Sequence, residues 1–258
     1  MRTVTRAIVR PPGENFAAAL TTSSLGSPDL DLARLQHEQY CAALESCGVS
    51  VIRLPPDGRF ADSTFVEDTA VLTHASSIIT RPGAPSRQGE VESVREELKK
   101  HFPDFRQIAA PGTVDGGDVC EADGHFLIGV SARTNQEGAR QLSEILAAEG
   151  YSAECIDIRE MPGLLHLKSG LSYLGDRRFL VARALSGDAA ISGYETVVVE
   201  DRDAYAANCV RLDRFLLMAS GYERVEEAVR HSGLRIITLD TSEFRKVDGG
   251  LSCLSLRF

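Results

Sequence analysis

Gly116-Gly117-Asp118-Val119, followed by Asp123-Gly124-His125-Phe126-Leu127-Ile128, is the stretch on which the fold turns. A glycine-rich turn opens a short strand, and a polar turn leads into a second, apolar strand, which is the pattern of a hairpin. The arrangement recurs. Lys168-Ser169-Gly170-Leu171 precedes Asp176-Arg177-Arg178-Phe179-Leu180-Val181, and Ala206-Ala207-Asn208-Cys209-Val210 precedes Asp213-Arg214-Phe215-Leu216-Leu217. A fourth copy is Val66-Glu67-Asp68-Thr69-Ala70-Val71-Leu72 with Ser77-Ile78-Ile79-Thr80. The fifth, Asp248-Gly249-Gly250-Leu251-Ser252-Cys253-Leu254-Ser255-Leu256, has no second arm, and the strand from Val4 to Val9 could supply one. With Asp68, Asp118, Ser169, Asn208 and Gly250 as markers, the copies lie 39 to 51 residues apart, the length of one supersecondary unit.

Helices fall between the hairpins. Val91, Val94, Leu98 and Phe102 recur at three- and four-residue steps, one face of a helix. Thr134-Asn135-Gln136-Glu137 reads as a capping box for a helix through Leu142, Ile145 and Leu146, stopped by Gly150. Tyr222, Val225 and Val229 predict another, ended by Gly233 and followed by the extended run Leu234-Arg235-Ile236-Ile237-Thr238-Leu239. Each unit thus reads as hairpin, helix, strand. Units of this kind cannot bury their faces alone, so the expected fold class is α/β, a closed ring of five, over a single domain 1–258. A doubly wound parallel sheet would need a glycine-rich strand-to-helix phosphate loop, and the sequence has none of that kind.

The 258 residues are 43% hydrophobic and 25% charged, the balance of a globular protein, with a formal net charge of −9. That sign disfavours nucleic acid as a partner and suits a small cation. No apolar run approaches the roughly 20 residues of a membrane helix, and Met1-Arg2-Thr3-Val4-Thr5-Arg6 lacks the apolar core of a signal peptide. The six cysteines show no paired zinc spacing, and reduced thiols in a cytoplasmic protein are the economical reading.

If the units surround an axis, their turns bring Glu67, Asp68, Asp115, Asp118, His166, Asn208, Asp248 and Cys253 to one end. Taken singly, each acid is an ordinary turn residue, His166 among leucines an ordinary core histidine, and Cys253 a small buried hydrophobe. Taken together they are costly, because two charges about 4 Å apart interact by about 4 kcal/mol at an effective dielectric near 20. A bound cation would offset that repulsion. Thiol plus imidazole is the minimal nucleophile and acid–base set, and Asp115 could orient the ring. Arg87, in the loop Arg81-Pro82-Gly83-Ala84-Pro85-Ser86-Arg87, and Arg133, before the capping box, would be surface charges alone; with the acids they suit a zwitterion, their forks taking its carboxylate.

The same residues carry a resemblance. Leu20-Thr21-Thr22-Ser23-Ser24-Leu25-Gly26, Asp62-Ser63-Thr64-Phe65-Val66-Glu67-Asp68, Ile79-Thr80-Arg81-Pro82-Gly83-Ala84 and Ala110-Pro111-Gly112-Thr113-Val114-Asp115-Gly116-Gly117-Asp118 form its first half. Arg133-Thr134-Asn135, His166-Leu167-Lys168-Ser169-Gly170, Tyr205-Ala206-Ala207-Asn208-Cys209 and the run from Asp240 to Phe258 complete it. Nearly end to end, the chain resembles the dimethylarginine dimethylaminohydrolases of the guanidine-modifying, or pentein, superfamily. The most specific elements are the Phe-Val-Glu-Asp segment and the Asp-Gly-Gly-Leu-Ser-Cys ending.

The resemblance implies a five-bladed β/α propeller that hydrolyses Nω-methylated arginine to citrulline and dimethylamine or methylamine through a covalent thiouronium. Cys253 is then the nucleophile and His166 the general acid–base. Asp115 holds the guanidinium and supports the imidazole, at a position where bacterial relatives often carry Glu. Asp68, with Glu67 beside it, grips the guanidinium, while Arg87 and Arg133 take the α-carboxylate. Asp62 and the Leu20 carbonyl meet the α-amine, and Asp248 and the Val247 carbonyl line the pocket near the thiol. No metal or organic cofactor is implied; zinc would bind such a cluster only as an inhibitor. Carboxylates near Cys253 would keep its thiol protonated until a cationic substrate arrives. Relatives suggest a homodimer. The alternatives are arginine deiminase-like or citrulline hydrolase activity and, more distantly, a non-catalytic ribosome-binding propeller.

Overall fold

The computed structural model describes residues 3–258. Fifteen short strands follow one another. They are β1 (Arg6–Val9), β2 (Ser50–Arg53), β3 (Ala70–Leu72), β4 (Ser76–Ile79), β5 (Asp104–Gln107), β6 (Val119–Ala122), β7 (His125–Val130) and β8 (Ser152–Asp157). The remainder are β9 (Leu171–Gly175), β10 (Arg178–Ala182), β11 (Glu195–Val199), β12 (Val210–Leu212), β13 (Phe215–Ala219), β14 (Arg235–Leu239) and β15 (Leu256–Arg257). The α-helices are α1 (Leu30–Ser46), α2 (Val91–Leu98), α3 (Gln136–Ala148), α4 (Glu223–Val229) and α5 (Ser242–Arg245).

These strands form five three-stranded sheets of one design, matching the repeat count in the sequence. In each, the central strand pairs antiparallel with one neighbour and parallel with the other, as in β6-β7-β8 and β12-β13-β14. The turns explain the antiparallel pairs. Asp123 and Gly124 have φ of 51° and 84° between the paired Ala122 and His125, and Asp176 and Arg177 have φ of 50° and 55° between Gly175 and Arg178. Two left-handed residues in succession give the tight turn whose twist suits a hairpin, and aspartate and glycine tolerate it. The incomplete fifth unit is completed as expected, with β1 antiparallel to β15 (Ala7 opposite Arg257) and parallel to β2.

Two compact units result, Asp68–Ala207 and Thr3–Glu67 with Asn208–Phe258. The first contains three of the sheets and two apolar clusters: Ile78, Val114, Phe126, Ile128, Leu142 and Leu146 in one, and Ile156, Leu167, Leu171, Phe179, Val181 and Ile191 in the other. The second contains two sheets around Phe16, Phe65 and Phe244, whose rings lie 5.5 to 6.3 Å apart between centroids.

Three local expectations change. The cap of α3 is Asn135, whose side chain accepts from the Gly138 N–H (2.7 Å), because Thr134 Oγ1 is drawn away to donate to Asp118. Between β10 and β11 two 3₁₀ turns, Arg183–Leu185 and Ala189–Ile191, replace the helix expected in every unit. The 17-residue α1 has no counterpart in the periodicities read above; it buries polar Gln36, His37 and Tyr40 along with Ala33, Cys41 and Leu44, which blurs its apolar stripe.

Candidate active site

In the unit Asp68–Ala207, a short 3₁₀ turn precedes each hairpin and holds the polar residues. His166 caps the turn Leu167–Ser169 and is 6% exposed. Its Nε2–H donates to Asp115 Oδ2 (3.1 Å), while Asp115 Oδ1 accepts from the Gly83 N–H (2.8 Å) and Arg133 Nη1 stands 3.8 Å from Oδ2. Asp68 Oδ1 accepts from the Gly117 N–H (2.8 Å), and its Oδ2 pairs with Arg87 Nη1 (2.6 Å). Arg87 Nη2 and Nε reach the Glu90 carboxylate at 2.9 and 3.2 Å. Asp118 accepts from the hydroxyls of Ser131 and Thr134 (both 2.7 Å) and from the Leu167 N–H (3.0 Å), which pins the peptide next to His166.

Gly117 is required by close packing. A Cβ there would stand 2.8 Å from His166 Nδ1 and 2.9 Å from Asp68 Oδ1. Only a bare backbone lets the imidazole and this carboxylate come so near.

The charges set the proton affinities. Burial alone would lower the His166 pKa, but the Asp68, Asp118 and Asp115 carboxylates outweigh it and push the ring up to about 9. The Ser169 N–H donates to the His166 carbonyl (3.0 Å) and the His166 N–H to Ser169 Oγ (3.3 Å), which fixes the backbone beneath the ring. Burial works to raise the Asp68 pKa, yet the His166 and Arg87 charges hold it down to about 2. For Asp118 burial dominates, and its carboxyl rises to about 6 despite His166 and the two hydroxyls. One donor atom each of Asp68, Asp115 and His166 lies within 4.8 Å of the others, a set that could ligate a metal ion.

In the unit formed by Thr3–Glu67 and Asn208–Phe258, Cys253 lies in the 3₁₀ turn Ser252–Leu254, half-buried against the apolar cluster, with its N–H donating to Gly250 O (3.2 Å). Ser252 is held on several sides. Its N–H donates to Asn208 Oδ1 (2.9 Å), and its hydroxyl accepts from Asn208 Nδ2 (3.0 Å) and donates to Glu67 Oε2 (2.7 Å). A Cβ on Gly250 would lie 2.7 Å from Asn208 Cγ, so this glycine too serves close approach. Both Asp62 oxygens accept from the Leu20 N–H (3.1 and 3.3 Å). Asp248, left-handed at φ 58°, accepts from the Thr22 N–H (2.5 Å) and hydroxyl (3.0 Å). Val247 and Lys246 help to line a cleft of about 330 Å³ with Thr21, Ser23, Ser24 and Ser27.

Over 252 residues, covering 97% of this chain and 98% of the relative, the sequence is 43% identical to the N(G),N(G)-dimethylarginine dimethylaminohydrolase of Pseudomonas aeruginosa. The chain belongs to the dimethylarginine dimethylaminohydrolase family. Among solved structures, a cysteine-to-serine variant of the Pseudomonas aeruginosa enzyme complexed with citrulline superposes with a TM-score of 0.97 at 42% identity, covering 100% of both chains. A dimethylarginine dimethylaminohydrolase histidine-to-glycine variant, an adduct with S-methyl-L-thiocitrulline, gives 0.96 at 42% identity over 99% of this chain and 100% of that one. No family model matches the chain. A likeness of this extent shows the fold class, the five-unit β/α propeller expected of a dimethylarginine dimethylaminohydrolase.

For a dimethylarginine dimethylaminohydrolase, then, the structure brings Asp68, Asp115, Asp118, His166, Arg87 and Arg133 together in one unit. In the other it joins Glu67, Asn208 and the Cys253 turn, and ties Leu20 to Asp62 and Asp248 to Thr22. Sequence reading passed over Glu90, Ser131, Ser252 and Arg257. Ser252 was legible from its place in the Gly-Gly-Leu-Ser-Cys run, and Arg257 as the one charge in an otherwise neutral tail. Glu90 carried no signal until the turn placing it three residues beyond Arg87 was known.

Proposed function

We propose that the protein hydrolyses asymmetric dimethylarginine and monomethylarginine to citrulline, releasing dimethylamine or methylamine. The observation that carries this reading is the buried imidazole of His166, held by Asp115 and raised to about 9 by three carboxylates. A ring protonated at neutral pH can give a proton to a departing amine, and the acids around it suit a guanidinium. Relatives described as complexed with citrulline, or as an adduct with S-methyl-L-thiocitrulline, support the same substrate class.

Cys253, its proton released to solvent, attacks the guanidinium carbon with its sulfur. His166 protonates the methylated nitrogen, whose bond to carbon breaks, leaving a thiouronium. Water then attacks the same carbon and gives one proton to His166; the carbon–sulfur bond breaks to return the thiolate, and the remaining O–H proton passes to solvent as the ureido carbonyl forms. Asp68, Glu67 and Asp115 bind the guanidinium, and Arg87 and Arg133 the α-carboxylate. Arg133, 17% exposed and 3.8 Å from Asp115, is freer to exchange partners than Arg87, which Asp68 and Glu90 already engage. Asp62 and the Leu20 carbonyl serve the α-amine; Asp248 and the Val247 carbonyl line the pocket. In this reading residues 1–258 act as one catalytic domain.

Among the described residues no helix is long and apolar enough to cross a membrane. The reading includes a cytoplasmic homodimer acting on a small molecule, and the net charge of −9 disfavours nucleic acid as a partner. The deciding experiment is a product assay over asymmetric dimethylarginine, monomethylarginine, arginine and citrulline. Turnover of the methylated pair, at least about tenfold above the others in kcat/KM, is expected. Preference for arginine, with ammonia released, would move the protein to the deiminase side; no turnover of any would leave a binding protein.

A further inference from the structure

Arg257 reaches back along its own chain to the turn that carries Cys253. Its Nη1 donates to the carbonyl of Ser252 (3.0 Å), the oxygen of the peptide bond that joins Ser252 to Cys253. The same nitrogen meets the Ser255 carbonyl (3.1 Å) and hydroxyl (2.8 Å). Nη2 donates to Glu67 Oε1 (3.0 Å), and the other Glu67 oxygen takes the Ser252 hydroxyl. Ser255 Oγ is held in turn by the Tyr40 hydroxyl (2.6 Å). Asn208 fixes the N–H side of Ser252, so the residue before the thiol has its N–H, carbonyl and hydroxyl all engaged.

We infer that Arg257 is a positioning residue for the nucleophile, acting through the Ser252–Cys253 peptide and Glu67 rather than by touching substrate. A 3₁₀ turn this short has few hydrogen bonds of its own to fix its orientation. A planar guanidinium holds the two carbonyls on one nitrogen and the carboxylate on another in a fixed fork, whereas an ammonium offers a single point charge on a flexible stem. Glu67 offsets the Arg257 charge, and strand β15, paired with β1, anchors its backbone. Displacing a reacting atom by about 1 Å can cost on the order of 100-fold in rate, so the fork need not approach the reaction to govern it.

This inference rests on the reading of Cys253 as nucleophile, and the test separates the two. Turnover of asymmetric dimethylarginine is measured for Arg257→Lys, Arg257→Gln and Cys253→Ala, together with the rate at which iodoacetamide labels the Cys253 peptide, read by mass spectrometry. The expected result is a kcat lower by about 10- to 100-fold in both Arg257 variants, KM within about threefold of wild type, and an altered Cys253 labelling rate. Far-UV circular dichroism and melting establish that the assayed variants are folded. Wild-type kcat in folded Arg257→Lys and Arg257→Gln, with Cys253→Ala inactive, overturns the inference alone. Full activity in Cys253→Ala overturns the reading of the nucleophile and the inference with it. If neither Arg257 variant retains the native circular dichroism, Arg257 is a folding residue and the positioning role is overturned.

Discussion

His166 and Cys253 are held in opposite ways. The imidazole is buried, and its surroundings are ionic: Asp115 bonds it, Asp68 and Asp118 act on it through space, and Arg87 balances the acids. The thiol is half-buried against apolar side chains, and what fixes it is the hydrogen bonding of the adjoining peptide. Charge acts on the proton affinity of the one, and hydrogen bonds hold the backbone beside the other. That division suits the roles proposed for them, since a proton carrier needs its affinity set and a nucleophile its trajectory.

The largest break in that contrast comes from deleting the sulfur. Cys253→Ser is expected to lower kcat by at least about 1,000-fold with little change in melting temperature, since a hydroxyl of similar size replaces the thiol; steady-state product formation and a thermal melt check both halves. His166→Asn follows, with kcat lower by about 100- to 1,000-fold. This variant also tests the charge environment through stability. A folded-state pKa raised from 6.5 to about 9 confers stability that is complete below about 6.5 and lost as the pH climbs through about 9. The stability gap between wild type and His166→Asn, read by urea unfolding, should therefore narrow from pH 6 to pH 10.

Asp118→Asn sharpens the comparison from the side of the acids. It removes one carboxylate that raises the His166 pKa, so the alkaline fall of kcat/KM, expected near pH 9 in the wild type, should move to lower pH. A loss of about tenfold in kcat and about 1–3 kcal/mol in stability accompanies it, because Ser131 and Thr134 then face an amide. An unmoved alkaline limb would show that Asp118 does not act on the ring. The smallest effects are those of the paired glycines. Gly117→Ala and Gly250→Ala should each cost about 1–3 kcal/mol from crowding. Only Gly117→Ala, which pushes on His166 and Asp68, should also shift the alkaline limb.

The hairpins were legible because their signals are local. Asp123-Gly124 and Asp176-Arg177 mark left-handed turns, and the apolar runs beyond them have strand length. The strand from Val4 to Val9 was offered as the arm missing from the last unit, and β1 does pair with β15. Helix α1 escaped because its buried side includes Gln36, His37 and Tyr40, residues that satisfy neighbours no periodicity can name; Gln36, for one, donates to Ser242 Oγ. Thr134 was read as a cap because spacing alone does not show that its hydroxyl has a better acceptor in Asp118. In the site, the acids and the imidazole stood out by residue type. The support of His166 by Asp115 was anticipated, whereas the pairing of Asp68 with Arg87 was not, and neither were Glu90 and Arg257, which pair with Arg87 and Glu67.

The pairing of β1 with β15 has a consequence for biosynthesis. Ala7 leaves the ribosome long before Arg257, its partner across the sheet, has been translated. Through that interval one border of β1 lacks the strand meant to cover it, an invitation to aggregation that a chaperone could guard against. The hairpins of Asp68–Ala207 close between near neighbours and carry no such delay. Cotranslational folding should thus mature the imidazole cluster first and the Cys253 turn last.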